Sequence, residues 1–147
     1  MKPMNINELM DAWDKDSVID KTEPGKEILR IPILHSKYVK QHSAHSLAAK
    51  QASYEYARMK KIKWEYYNGK MDESELKKFG WEPFRFLVKQ DVQIYLDADD
   101  DLIKLLARKA LSEQSVDFCT SVLKELNSRT YQLRAFIDFE KFINGQN

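Results

Sequence analysis

The central part of the chain, residues 33–69, has the sequence ILHSKYVKQHSAHSLAAKQASYEYARMKKIKWEYYNG. It contains no proline, no glycine before its last residue, and mostly residues that favour helix. Asn68 and Gly69 supply a C-terminal stop, because both tolerate the left-handed backbone that ends many helices. The run therefore predicts one helix from about Ile33 to Asn68, about 50 Å long at ~1.5 Å per residue.

Upstream of this helix, residues 5–20 predict a short amphipathic helix. Residues 21–27, KTEPGKE, predict a turn at Pro24 and Gly25, and Pro32 marks the start of the long helix or a kink in it. The inner side of the short helix is predicted to carry five apolar residues: Ile6, Leu9, Met10, Trp13 and Val18.

Downstream, residues 83–96, PFRFLVKQDVQIYL, alternate in a period of two that is typical of strands. They predict a β-hairpin that turns at Lys89–Asp91. From Leu102 to Phe142 apolar residues recur every three or four positions, which predicts helices, with a break or bend at 127–130. The predicted fold class is mainly α with a small β-hairpin (α+β), built from a long helix and C-terminal helices.

The composition fits one globular domain, with 147 residues, 43% hydrophobic and 32% charged. No apolar run reaches the ~20 residues of a membrane span, and the start lacks the pattern of a signal peptide, so we expect a soluble, intracellular protein. Cys119 is the single cysteine, so it forms no internal disulfide. Its amphipathic surroundings predict a small core residue.

Charge is concentrated in one part of the chain. Residues 36–70 carry eight basic and two acidic side chains, a net charge of +6, although the whole chain carries only +1. A basic region of this kind suggests an anionic partner.

A helical wheel of the long helix predicts two basic, aromatic flanks beside an apolar stripe, so that the helix can bury the stripe and still expose both flanks. The stripe consists of Ala48, Ala52, Met59, Ile62 and Tyr66. One flank, which we call the first flank, consists of Lys50, Tyr54, Arg58 and Lys61. The second flank consists of Tyr56, Lys60, Lys63 and Tyr67.

Cations interleaved with aromatic rings suit single-stranded nucleic acid, since cations neutralise phosphates and rings stack on unpaired bases. Three other interpretations fit the same residues. The helix face can be simply solvated, with its tyrosines in the core. Its anionic partner can also be an acidic helix or a lipid surface.

Metal binding and catalysis have weaker support in the sequence. His42 and His45 are spaced i, i+3 but lack a third ligand, and the acidic run Asp97–Asp101 lacks the features of a calcium loop. Asp99 or Asp100 is better explained as the N-cap of the following helix, and the run can also meet a neighbour's basic helix. We find no phosphate loop, nucleophile elbow or catalytic triad, so we predict no catalytic residues, no metal and no cofactor.

Several segments, in order and with matching spacing, resemble the UvsY family, the recombination mediators of T-even-type bacteriophages. The resemblance covers most of the chain from residue 16 and is poor over residues 71–110. The matching segments are DSVIDKT (16–22), LHSKYVKQHS (34–43), MKKIKWEYYNGK (59–70), and DFC with NSR within 117–129.

The resemblance implies a non-enzymatic protein that binds single-stranded DNA in the cytoplasm of the infected bacterial host. It implies a ring of about six or seven identical subunits, which helps load a RecA-like phage recombinase onto DNA coated by the phage single-strand-binding protein. It also divides the single domain, 1–147, into three regions. These are an extension (1–15), a DNA-binding helix and hairpin region (16–100) and a helical oligomerisation region (101–147).

The family's DNA-binding motif, Lys-Ala-Arg-Leu, falls on residues 61–64, where Lys61 matches the lysine and Lys63 replaces the arginine. That replacement keeps the charge but loses the forked donor geometry, for which Arg58 and Lys60 can compensate. The phosphate contacts are thus predicted to be Arg58, Lys60, Lys61 and Lys63. The stacking residues are predicted to be Tyr54, Trp64 and Tyr67.

Two rival functions remain open on the sequence alone. One is a helical oligomeric adaptor that binds an acidic protein and has no preference for single-stranded over duplex DNA. The other is a nuclease with a divalent ion at Asp97–Asp101.

Overall fold

The computed structural model describes residues 2–84 and 89–145. Within them the chain is helical and contains no strand. Two of the helices are much longer than the others. The helices are α1 (Ile6–Asp16), α2 (Pro24–Tyr67), α3 (Glu73–Phe79), α4 (Val92–Asp97) and α5 (Asp100–Ile143), with a 3-10 turn at Lys89–Asp91 before α4.

Local sequence explains most of the helix boundaries. Asn5 caps α1 through its side chain, which accepts a hydrogen bond from the backbone N–H of Glu8 at 2.9 Å. Pro24 is the first residue of α2, where its missing N–H costs nothing, so the predicted turn at Pro24 and Gly25 is already helical. The helix α2 begins at Pro24, about nine residues before the expected start at Ile33, so that Pro32 lies inside it.

The chain divides into two compact units: Met1–Leu47 with Leu111–Asn147, and Ala48–Ala110. In the first unit the core joins α1, the N-terminal part of α2 and the middle of α5. Trp13 packs edge-to-face on Tyr38, with ring centroids 5.6 Å apart. The fully covered core residues are Leu9, Leu34, Tyr38, Cys119, Val122 and Leu126.

Asp16 and Arg129 link the three helices of this unit. The Asp16 carboxylate accepts hydrogen bonds from the Tyr38 hydroxyl at 2.9 Å and the Lys37 ammonium at 2.7 Å, both on α2. The buried Arg129 of α5 donates to the carbonyl of Ser17 at 3.0 Å. Cations near the last carbonyls of a helix stabilise it, so Arg129 fixes the end of α1.

In the second unit, residues of α2 pack on α4 and on the start of α5. The buried centre consists of Val92, Leu96 and Leu102, and Tyr56, Met59 and Tyr67 of α2 pack against it. This is the side of α2 that turns away from solvent.

The predicted β-hairpin is wrong. Residues 85–88, in its first strand, lie outside the described residues, but its turn and its second strand are a 3-10 turn and helix α4. Val92 and Leu96 are both buried while Ile94 between them is 64% exposed, which is a helical i, i+4 pattern. A short run with apolar residues at alternate positions is compatible with a helix as well as with a strand. Tertiary contacts decide which of the two forms.

The predicted break at 127–130 is also absent, since α5 continues from Asp100 to Ile143. Arg129 faces the core of the first unit and the Ser128 hydroxyl donates to the carbonyl of Lys124, so this polar segment has partners while remaining helical. The expected C-terminal helices are therefore one helix.

Candidate nucleic-acid interface

The first flank of α2 is open to solvent. Arg58 and Lys61 are exposed, Tyr54 is 67% exposed, and Lys50 continues the same line one turn earlier. Trp64, one turn after Lys61, is 44% exposed. Cations and aromatic rings thus share one accessible face of the helix, over about 21 Å at ~1.5 Å per residue.

The second flank is turned inward. Lys60 is half-buried, with its ammonium 5.9 Å from the ring centroid of Tyr56. Tyr67 is also half-buried, and Lys63 is 6% exposed. The structure therefore places the seven predicted contact residues on two different sides of α2 rather than on one.

Lys63 has two acidic partners at the start of α5 and an aromatic partner before α4. Its ammonium lies 3.1 Å from Asp99 Oδ2 and 2.8 Å from Asp101 Oδ2. It also lies 4.0 Å from the ring centroid of Trp81, within the range of a cation–π contact. Burial alone lowers the pKa of a lysine, but these two carboxylates raise the pKa of Lys63, so it stays charged.

Asp99 is the centre of this arrangement. It caps α5 by accepting the backbone N–H of Leu102 at 3.1 Å, as the sequence predicted. It also accepts the Tyr67 hydroxyl at 2.6 Å. Burial raises the pKa of Tyr67, and this hydrogen bond raises it further, so the hydroxyl stays protonated. The acidic run thus meets a basic helix of its own chain, a pairing that the sequence analysis considered only for a neighbouring subunit.

The turn after α2 brings a further cation to the exposed face. Gly69 adopts a φ of 69°, and the backbone N–H of Lys70 reaches back to the carbonyl of Glu65 at 2.9 Å. The Lys70 ammonium then lies 4.4 Å from the ring centroid of Trp64. A helical wheel does not predict this proximity of Lys70 to Trp64, because Lys70 follows the turn at Gly69 and lies outside the helix.

Two other residues considered in the sequence, His45 and Cys119, are part of the packed structure. His45 bonds the carbonyl of Met4 at 2.7 Å through its Nε2, and Glu55 on α2 pairs with Arg108 on α5. Cys119 is fully buried, as predicted, and burial raises its pKa to about 11. Across residues 2–84 and 89–145, no group of three or more His, Cys, Asp or Glu side chains is placed to hold a metal ion, and no helix is long and apolar enough to cross a membrane.

These features define a helical protein with one cationic, aromatic helix face open to solvent and a second cationic face closed by acids. Comparison with known proteins then gives the family. Residues 12–146 match the family model described as the recombination, repair and ssDNA binding protein UvsY. The chain belongs to this family, which confirms the resemblance seen in the sequence.

The individual relatives agree with this membership. The chain is 24% identical over 143 residues to the recombination protein uvsY of Enterobacteria phage T4, covering 97% of this chain and all of that protein. Two crystal structures of the bacteriophage T4 recombination mediator protein UvsY share its fold. The first has a TM-score of 0.82 and 23% sequence identity, and the match covers 96% of this chain and 98% of that one. The second has a TM-score of 0.79 and 24% sequence identity, and the match covers 91% of this chain and 97% of that one. The chain is therefore a protein of recombination and repair that binds single-stranded DNA.

Proposed function

We propose that this chain is a non-enzymatic mediator that binds single-stranded DNA along the first flank of α2 and helps load a RecA-like recombinase onto DNA coated by a single-strand-binding protein. We place this activity in the cytoplasm of a phage-infected bacterium. The observation that carries the proposal is the exposed row of two cations, Arg58 and Lys61, between two aromatic rings, Tyr54 and Trp64, on one helix face. Phosphate neutralisation and base stacking on such a face need no sequence-specific contact.

The predicted contact residues take two roles in this proposal. Arg58 and Lys61 contact phosphates from exposed positions, with Lys60 at the edge, and Tyr54 and Trp64 stack on bases. Lys63 and Tyr67 support the face from inside, because their polar atoms already bind Asp99. A direct contact between Lys63 and phosphate stays a prediction, and it requires the Asp99 and Asp101 carboxylates to release the ammonium.

We further propose that copies of the chain associate through the C-terminal part of α5, in a ring of about six or seven subunits. Large apolar side chains are exposed there, which is unfavourable in a lone subunit. They are Tyr131, Phe139, Phe142 and Ile143. Repeating a weak DNA site around a ring raises the effective concentration of each contact, so the assembly binds tightly.

The test of DNA binding is a fluorescence titration of labelled single-stranded and duplex DNA at low and moderate salt. We expect wild type to prefer the single strand and Arg58→Ala/Lys61→Ala to lose most of that binding. Lys124→Ala/Lys141→Ala removes the same charge from exposed positions of α5 and serves as the matched control. Equal binding of both DNAs, unchanged by the α2 substitutions, would instead support an adaptor for an acidic protein.

The test of mediator activity uses a RecA-like recombinase on DNA coated by the single-strand-binding protein. The recombinase's DNA-dependent ATP hydrolysis should recover when wild type is added and remain low with Arg58→Ala/Lys61→Ala. A recovery that is the same with both proteins would contradict the proposed route.

A further inference from the structure

A cleft lies where α2 ends, beyond the first flank. It has a volume of about 510 Å³, within the ~300–1,000 Å³ range of small-ligand sites. Its lining combines aromatic rings with cations. The residues that matter here are Trp64, Tyr67, Lys70, Phe84 and Lys89, and we refer to this group as the end cleft.

One wall of the end cleft is held in place by contacts within its own unit. The ring of Tyr67 packs edge-to-face on Phe84 at 5.1 Å and lies 5.7 Å from Tyr95. Its hydroxyl is bound by Asp99, which also holds Lys63. A wall built in this way is present before any ligand arrives, so binding there does not require the side chains to be ordered first.

The lining of the end cleft also includes Trp64 and two cations. The left-handed turn at Gly69 places the Lys70 ammonium 4.4 Å from the Trp64 ring. Lys89 is an exposed residue at the start of the 3-10 turn. A flat apolar ring beside one or two ammonium groups matches a ligand with a flat ring and an attached anion.

We propose that the end cleft binds one unpaired nucleotide of the strand that runs along the first flank. In this inference, which rests on the proposed function, Trp64 stacks on the base and Lys70 and Lys89 neutralise its phosphate. Trp64 directly continues the first flank, one turn after Lys61, so a single strand reaches both. Bases of a duplex are paired and stacked, so the end cleft favours single-stranded DNA.

The experiment uses short single-stranded oligonucleotides with every base present or with abasic positions. Wild type should bind the complete oligonucleotide about 5- to 150-fold more tightly per stacked base. Trp64→Leu should lose the part of this difference that one stacked base contributes, since Tyr54 still stacks, and Trp64→Phe should restore some of it. Thermal unfolding of Trp64→Leu, an exposed position, verifies that the fold is intact.

The two lysines are tested by the salt dependence of binding. Each of Lys70→Gln and Lys89→Gln should reduce the slope of log K against log salt concentration by about 0.7, the value for one phosphate contact on a single strand. Lys77→Gln, an exposed lysine on α3, is the matched control and should leave the slope unchanged.

The outcomes separate the end cleft from the first flank. If Arg58→Ala/Lys61→Ala weakens binding but Trp64→Leu and the two lysine variants behave as wild type, the end cleft does not bind the strand, and the proposed function stands with Tyr54 as its stacking residue. If wild type has no preference for single-stranded DNA, or the first-flank substitutions change nothing, the proposed function itself fails.

Discussion

The Lys63 ammonium lies 3.1 Å from the Asp99 carboxylate, and both side chains are more than nine-tenths buried. Lys63 is spaced from Lys61 by only two residues, yet the two ammonium groups are in different environments. A helix turns about 100° per residue, so two positions apart means opposite flanks. Removing one partner of such a buried pair leaves a charge without compensation.

We expect Lys63→Met to lower the free energy of unfolding by about 1–3 kcal/mol, because it leaves Asp99 without its cation. Lys61→Met, at an exposed position, should change it by less than about 0.5 kcal/mol. Urea unfolding followed by circular dichroism measures both. Equal effects of the two substitutions would show that the pair with Asp99 contributes nothing specific.

Acid should weaken the fold through Asp99 and Asp16. Burial alone raises the pKa of each carboxyl, but hydrogen bonds from Tyr67 and Leu102 to Asp99, and from Lys37 and Tyr38 to Asp16, lower it below the ordinary 3.8. A lowered pKa means that the stabilisation is complete above about pH 4 and is lost as the pH falls through the folded-state value.

Unfolding in urea at a series of pH values between about 2 and 6 should therefore show a steep loss of stability below pH 4. Asp99→Asn should be less stable at neutral pH and should show a shallower loss in acid. A variant whose acid profile runs parallel to that of wild type would rule out Asp99 as one of the titrating groups.

Arg129→Leu should destabilise the first unit by about 1–3 kcal/mol, since it leaves the carbonyl of Ser17 without its donor. Limited proteolysis should then cut near Ser17 faster than in wild type, because the end of α1 is no longer held. Arg134→Leu, an exposed arginine on the same helix, is the control and should cut at the wild-type rate.

Phe139→Ser/Phe142→Ser should reduce the size of the assembly in sedimentation velocity while each subunit stays helical, because these rings are 59% and 80% exposed. Removal of residues 133–147 should have the same effect. Asp138→Ser/Lys141→Ser alters neighbouring exposed positions and should leave the assembly unchanged. An assembly that persists in the phenylalanine variant would move the interface elsewhere.

Cys119 should react slowly with thiol reagents in the folded protein. It is fully buried, and burial raises its pKa to about 11, so little thiolate is present at neutral pH. Labelling should accelerate strongly in urea. Lys61→Cys adds an exposed thiol as an internal reference, and fast labelling of both thiols in native protein would contradict the burial.

The features that the sequence predicted correctly depend on residues that are close together along the chain. The long helix, its end at Asn68 and Gly69, and the cap at Asp99 follow from local preferences. The hairpin failed because helix and strand patterns overlap in a run as short as Val92–Leu96, and contacts with Leu102 decide between them.

The candidate site could be predicted only in part for a related reason. The helical wheel separated the two flanks, but its prediction that both are exposed is wrong for the second, because a wheel does not show which flank the rest of the chain covers. That choice depends on Lys63 meeting Asp99, thirty-six positions away, and Tyr67 meeting the same carboxylate. A basic run followed by an acidic run was a signal for this pairing, although by itself it did not distinguish an intramolecular pair from an intersubunit one.

Because Lys63 is buried and Lys61 is exposed, the contacts of these two lysines respond differently to ionic strength. Charges in water are screened within about 8 Å at physiological salt, whereas buried pairs are screened much less. A phosphate held by Lys61 is therefore released as salt rises, while Lys63 keeps its carboxylates and α2 keeps its orientation. Under the proposed function, the protein can bind and release many strands in succession without partial unfolding, which a carrier that hands DNA to another protein requires.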